Sequence, residues 1–228
     1  MKTICVHVSG LSGLVCEVQV RPDCTVMDIK QHVQNHAGIS VFEQRLLFGH
    51  ALPADDNICL RLLAEGCPTG GGSLERQILR VTLVRRPPEQ AKFLARIDKN
   101  PLETHNYLAQ ASPELKADKE IVLAAVRLNG HALMDAAEAL KGDGDVVLAA
   151  CAQNAHALRY ASAALRADRE LLLRAASKNC HALKFADETL KADKDFMLAL
   201  VREHGAAFMY AAPELKEDEE LLRVAGAR

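Results

Sequence analysis

Five aspartates, Asp118, Asp143, Asp168, Asp193 and Asp218, follow one another at intervals of 25 residues. Aligned on them, the chain reads DKEIVLAAVRLNGHALMDAAEALKG, DGDVVLAACAQNAHALRYASAALRA, DRELLLRAASKNCHALKFADETLKA and DKDFMLALVREHGAAFMYAAPELKE, and then begins again as DEELLRVAGAR. A fixed period of this length requires stacked supersecondary units that bury their apolar faces against one another. It governs more than half of the chain and points to an extended surface rather than an active-site cleft.

Each aspartate is expected to cap a helix, with Glu120, Asp145, Glu170, Asp195 or Glu220 in the first turn. An acid there satisfies orphan amides and complements the positive end of the helix dipole. Apolar runs such as Ile121-Val122-Leu123 with Ala125-Val126 follow, enough for about eleven residues of helix. Asn129, Asn154 and Asn179, with His204-Gly205 in the fourth unit, read as left-handed helix ends. A second, shorter helix is expected to pack through Leu133, Leu158, Leu183 or Phe208, through Ala136, Ala161, Ala186 or Ala211, and through Leu140, Leu165, Leu190 or Leu215. Small alanines let helix axes approach closely.

Residues 1–86 have a different texture. Ile4, Val6 and Val8 alternate with Cys5 and His7, and Cys16, Val18 and Val20 alternate with Val15, Glu17 and Gln19. Gly10 and Gly13 between them predict a hairpin. Thr25 is the expected cap of a helix whose stripe is Val26, Ile29 and Val33 and which Gly38 ends. RLLF and Ile78 to Arg86 add two more strands, giving the order β-β-α-β-β. Pro87-Pro88 opens a stiff join, and residues 87–100 read as a linker with a short helix. A degenerate lead-in repeat, Pro101 to Ala117, then introduces a helical region over 101–228, with units starting near 118, 143, 168, 193 and 218.

With these landmarks, residues 3–86 resemble the ubiquitin-like family, most closely through GISVFEQRLLFG. The resemblance implies a β-grasp fold and a contact patch at Leu11, Leu47 and Thr82, with Arg80 where ubiquitin has a histidine. It also implies that conjugation is not to be expected. The last strand runs on into Arg85-Arg86-Pro87-Pro88, and Gly70-Gly71-Gly72 lies before that strand. Residues 101–225 resemble the tandem helical repeats of the domain-of-unknown-function family numbered 4116, which brings no activity with it. The expected fold class is therefore α+β: a ubiquitin-like β-grasp domain followed by an all-α solenoid of 25-residue helix-turn-helix repeats.

A net charge of −2 argues against a broad nucleic-acid surface. Seven cysteines without a CxxC pair read as reduced thiols of a cytoplasmic protein. The opening ICVHVSGLSGLVC alternates with period two, so it reads as a strand rather than a signal segment, and no run is long enough to cross a membrane.

Several patterns invite chemistry. His131, His156 and His181 recur with the repeat, but a helical hairpin between copies keeps them from sharing one ion, so they are read as packing residues. Lys116, Lys141, Arg166, Lys191 and Lys216 form a basic column, read as a solvated face complementing helix C-termini. Gly70–Gly72 lacks a phosphate-loop pattern. Cys59 and Cys67 are the expected exposed thiols, with no histidine–acid partner nearby; Cys151 and Cys180 sit at small core positions.

No catalytic, cofactor or metal set stands out, and no small-molecule substrate is implied. The reading is a non-enzymatic interaction or adaptor protein, the ubiquitin-like module docking one protein partner and the repeats another. Two alternatives are a polyanion binder using the basic column with Arg80, Arg85 and Arg86, and an enzyme with a Cys59 or Cys67 nucleophile. Partner specificity is expected where units differ, at Arg127 against Ala152 and Ser177, or Asp135 against Tyr160 and Phe185.

Overall fold

The computed structural model describes residues 4–21, 23–48, 56–57, 59 and 78–226. The chain divides into two compact units, Met1–Lys92 and Phe93–Arg228. The class is α+β, a small sheet followed by repeated helices.

In the first unit the strands are β1 (Ile4–Gly10), β2 (Gly13–Val20), β3 (Gln44–Phe48) and β4 (Ile78–Arg85), in sheet order β2-β1-β4-β3. β1 runs parallel to β4, and the outer pairings are antiparallel. The predicted alternation sends Val6, Val8, Cys16, Val18, Leu46 and Val81 to one buried face. Helix α1 (Val26–Ala37) covers that face with Val26, Ile29 and Val33, all fully buried. Thr25 and Asp28 form a reciprocal capping box, and Gly38 ends the helix at φ 68°, a left-handed angle that glycine adopts without a Cβ clash.

Gln44 locks the helix to the sheet, and Lys30 ties it to a residue outside the strands. Gln44, fully buried, donates from Nε2 to the carbonyls of Lys30 (2.9 Å) and Ile39 (2.7 Å). Lys30, also buried, reaches Asp56 at 2.5 Å. Arg86 turns back on the same unit and donates to the carbonyls of Phe42 and Gln44.

The short helix expected within the linker fills nearly all of it as α2 (Pro88–Lys99), and its Phe93 and Ile97 are buried in the core of the second unit. The sequence shows the helix but not its burial, because it precedes the first recognisable repeat.

Each following repeat begins as predicted. Asp118, Asp143, Asp168, Asp193 and Asp218 have extended backbone, and their carboxylates accept amide hydrogens of the helix that follows. The long helices are Lys119–Leu128, Gly144–Gln153, Arg169–Lys178 and Lys194–Glu203. Their buried stripes superpose with the period: Ile121, Val146, Leu171 and Phe196, then Val122, Val147, Leu172 and Met197. Each such side chain taken out of water contributes about 1.5–3 kcal/mol before ordering costs.

Two expectations need correction. Asn129, Asn154 and Asn179 are not left-handed; Asn129 has φ −146° and ψ 106°, and among the described residues positive φ occurs only at glycine. Each asparagine instead starts the next element, its Oδ1 accepting from the amide of His131, His156 or His181. The second helix is also not continuous. It is a six-residue 3-10 segment (Gly130–Asp135, Ala155–Tyr160, Cys180–Phe185) and then, after an extended alanine, one α turn (Glu138–Lys141, Ala163–Arg166, Glu188–Lys191). The break falls at Ala136, Ala161 and Ala186, whose methyls stay buried.

It also frees a main-chain donor, which links neighbouring repeats. The amides of Ala137, Ser162, Asp187 and Ala212 donate to the carbonyls of Lys116, Lys141, Arg166 and Lys191 in the preceding repeat, at 2.9–3.0 Å. A continuous helix would have spent those amides on itself.

Candidate functional site

Three of the four predicted contact residues come together. On the sheet face opposite α1, Leu47 pairs directly with Thr82, Thr82 with Ser9, and Arg80 with His7. Thr82 and Arg80 are exposed and Leu47 is half-buried. Leu11 stands in the two-residue turn of the β1–β2 hairpin, two residues beyond Ser9, and is fully exposed. Leu14, across the same turn, is 63% exposed. Sequence reasoning did not single it out, because a leucine beside a turn glycine carries no pattern of its own.

The same face gathers chemistry that spacing did not reveal. Cys5 Sγ donates to Glu17 Oε1 at 2.9 Å, and His7 Nε2 lies 3.4 Å from that oxygen. The Glu17 hydrogen bond, then burial and the carboxylate charge, push the Cys5 thiol above its usual range. Glu17 in turn is held below the usual carboxylate range by the Cys5 hydrogen bond and the charge of His7. A thiol held protonated in this way is a poor nucleophile.

The other cysteines give the thiol-enzyme alternative little. Burial pushes Cys151 up to about 12. Cys59 is half-buried with its backbone bridged to Thr25, while Cys67 and Gly70–Gly72 fall outside the described residues.

The basic column is only in part the solvated face the sequence suggested: Lys216 is exposed, and the other four are half-buried. The Lys141 and Lys191 side chains are only 18% and 12% exposed and bond Glu138 and Glu188 at 2.8 Å, and Lys116 bonds the Ala109 carbonyl. Their stems lie against the repeat, and the ammonium groups complement that unit's own last turn. Arg86, also counted among the basic residues, is committed within the first unit.

A second charged ladder takes its place. Lys119 reaches Asp143 at 2.7 Å, Arg169 reaches Asp193 at 2.7 Å, and Lys194 reaches Asp218 at 2.8 Å. The cation following one cap thus grips the cap of the next unit; in the second unit that position is Gly144. The histidines form a third ladder, edge-on to the aromatic of the next unit: His131 on Tyr160, His156 on Phe185, His181 on Tyr210, with ring centroids 5.5–6.1 Å apart. Their packing role is thus between units, where Asn154 adds a 3.0 Å bond to His131. Asp135 occupies the aromatic position in the first full unit, and among the described residues one of its carboxylate oxygens is buried without a hydrogen-bond partner.

A small mixed sheet followed by helical units joined through caps, rings and amides defines a tandem-repeat protein. The family model described as a domain of unknown function, DUF4116, matches residues 94–141, 143–191 and 168–216, and the chain belongs to that family. No curated protein matches it. A crystal structure of ATBAG1 in complex with HSP70 matches over 80% of this chain and 93% of that chain, at 14% identity and a TM-score of 0.35. At that score the likeness carries nothing about fold or partners. Among the described residues no helix is long and apolar enough to cross a membrane.

Proposed function

We propose that the chain is a non-enzymatic interaction protein, its first unit a ubiquitin-like β-grasp module that docks one protein partner and its repeats a scaffold for another. The observation that carries this is the direct pairing of Leu47 with Thr82 on the open sheet face, close in sequence register to the bare Leu11 and Leu14 turn. An apolar spot flanked by Thr82 and Arg80 suits a protein contact with an apolar centre and a polar rim. The repeats support the second half of the reading through geometry: each long helix buries one stripe and leaves the rest of its surface as one step of a continuous face.

The experiment is titration of the full chain with isolated ubiquitin-binding domains. Binding to at least one, weakened about tenfold or more by Leu47→Asp, is expected for a contact at the centre of the patch. Failure of the wild type to bind any of them, or equal binding by Leu47→Asp, removes this face. The polyanion reading is not favoured, because Lys116, Lys141 and Lys191 are spent within their own repeats.

A further inference from the structure

We propose that Cys5, His7 and Glu17 form a divalent-metal site of the zinc type on the open face of the β1–β2 hairpin. One donor atom from each lies within 4.8 Å of the other two. The three come from two paired strands: Glu17 is directly opposite His7, and Cys5 is two residues back on the same face of β1. The strand register therefore holds the donors before any ion arrives.

The donor set is a sulfur, an imidazole nitrogen and a carboxylate oxygen, the combination zinc takes in four-coordinate sites. Bonds of about 2.0–2.3 Å place tetrahedral donors roughly 3.3–3.8 Å apart. At Glu17 Oε1 the nitrogen contact, 3.4 Å, lies at the lower end of that range, and the sulfur contact, 2.9 Å, is shorter and would lengthen on binding. Binding needs only side-chain rotation. The ion replaces the thiol hydrogen, a sulfur–metal bond forms as the S–H bond breaks, and the proton leaves to solvent. Three protein donors leave the fourth position to water or to a ligand from outside.

Hairpin folding does not require a thiol, an imidazole and a carboxylate to converge on one oxygen at this face. Arg80, opposite His7, adds an opposing charge, but it is exposed and therefore screened. β3 supplies no donor, so Leu47 is not part of the site although it lies on the same sheet face.

The test is cobalt(II) titration of the reduced full chain, with zinc competition. One equivalent is expected, with a thiolate charge-transfer band and the intense visible absorption of a four-coordinate ion, both displaced by zinc. Cys5→Ser is expected to abolish the charge-transfer band, and His7→Ala and Glu17→Gln each to weaken binding roughly tenfold or more. Cys180→Ser is expected to leave the spectrum unchanged. All three ligand positions are solvent-accessible, and an unchanged metal-free melting curve for each variant separates ligand loss from unfolding. The proposal is overturned by no thiolate band at about tenfold excess cobalt, or by a band that survives Cys5→Ser.

Discussion

The Lys119 ammonium lies 2.7 Å from the Asp143 carboxylate, so the first residue of one helix holds the cap of the next. Asp143 thereby performs two tasks, accepting the amides of Asp145 and Val146 and anchoring the preceding unit. Arg169 with Asp193 and Lys194 with Asp218 repeat the arrangement.

Gly144 interrupts it, so Gly144→Lys is expected to stabilise the repeats. A Cβ there meets Leu171 Cδ1 at 3.5 Å, ordinary contact. Removing a helix glycine and bringing a cation to Asp168 together give a gain of roughly 0.5–1.5 kcal/mol. Urea midpoints would register the gain. An unchanged or lower midpoint would show that the missing rung has no energetic consequence.

Gly130→Ala should do the opposite. A Cβ at Gly130 would stand 2.6 Å from the Ala150 carbonyl oxygen and 3.1 Å from both Asn154 Cβ and Gln153 Oε1. The Gly130 amide also donates to Gln153 at 2.6 Å, fixing the approach. The expected loss is about 1–3 kcal/mol. Ala155 fills the same position one unit later, so an Ala155→Gly comparison in the same denaturation series isolates the close approach from helix propensity.

Asn154→Ala removes the cap on His156 and the bond to His131. A loss of about 1 kcal/mol is expected from the cap. Hydrogen exchange at the His156 amide offers a local readout: protection equal to the wild type would contradict the capping role.

Acid should weaken the repeats. Asp193 is held below the ordinary carboxylate value of 3.8 first by the Phe196 amide. Asp218 is lowered first by the Lys194 hydrogen bond. For Asp143 burial pushes upward, yet Lys119 and the amides of Val146 and Asp145 outweigh it. Folded values below the unfolded one mean that the unfolded chain binds more protons in this window. The stability they contribute is therefore complete above pH 3.8 and is lost as pH falls below that value through the lower folded ones. Denaturation midpoints at descending pH should drop there, and Asp218→Asn should flatten the drop. A midpoint independent of pH across the window would rule this out.

The aspartate period made the caps, the long helices and their buried stripes legible, because capping and 3.6-residue patterning act locally. What lay between was not. Asn129 looks like a left-handed helix end from its neighbours alone, and only the folded unit shows it opening the 3-10 segment. The break at Ala136 is coupled to the bond that Ala137 makes to Lys116 in another repeat, a contact with no local signal. Gln44 and Lys30 are polar and carry no sequence pattern for burial, yet both are buried where backbone carbonyls and Asp56 receive them.

The candidate site was hidden for a geometric reason. Counting back from the Gly10–Gly13 turn pairs His7 with Cys16. A bulge between Val8 and Ser9 shifts the register and brings Glu17 opposite His7 instead. Leu47, Arg80 and Thr82, on strands without such a shift, share a face as their alternation implies.

The amide-to-carbonyl rung between successive repeats uses only main-chain atoms, at the same offset each time. Such a joint does not depend on which side chains a unit carries. The rung alone can recur over any number of 25-residue modules, whereas the cap, ring and close-approach contacts at each junction restrict which side chains can drift.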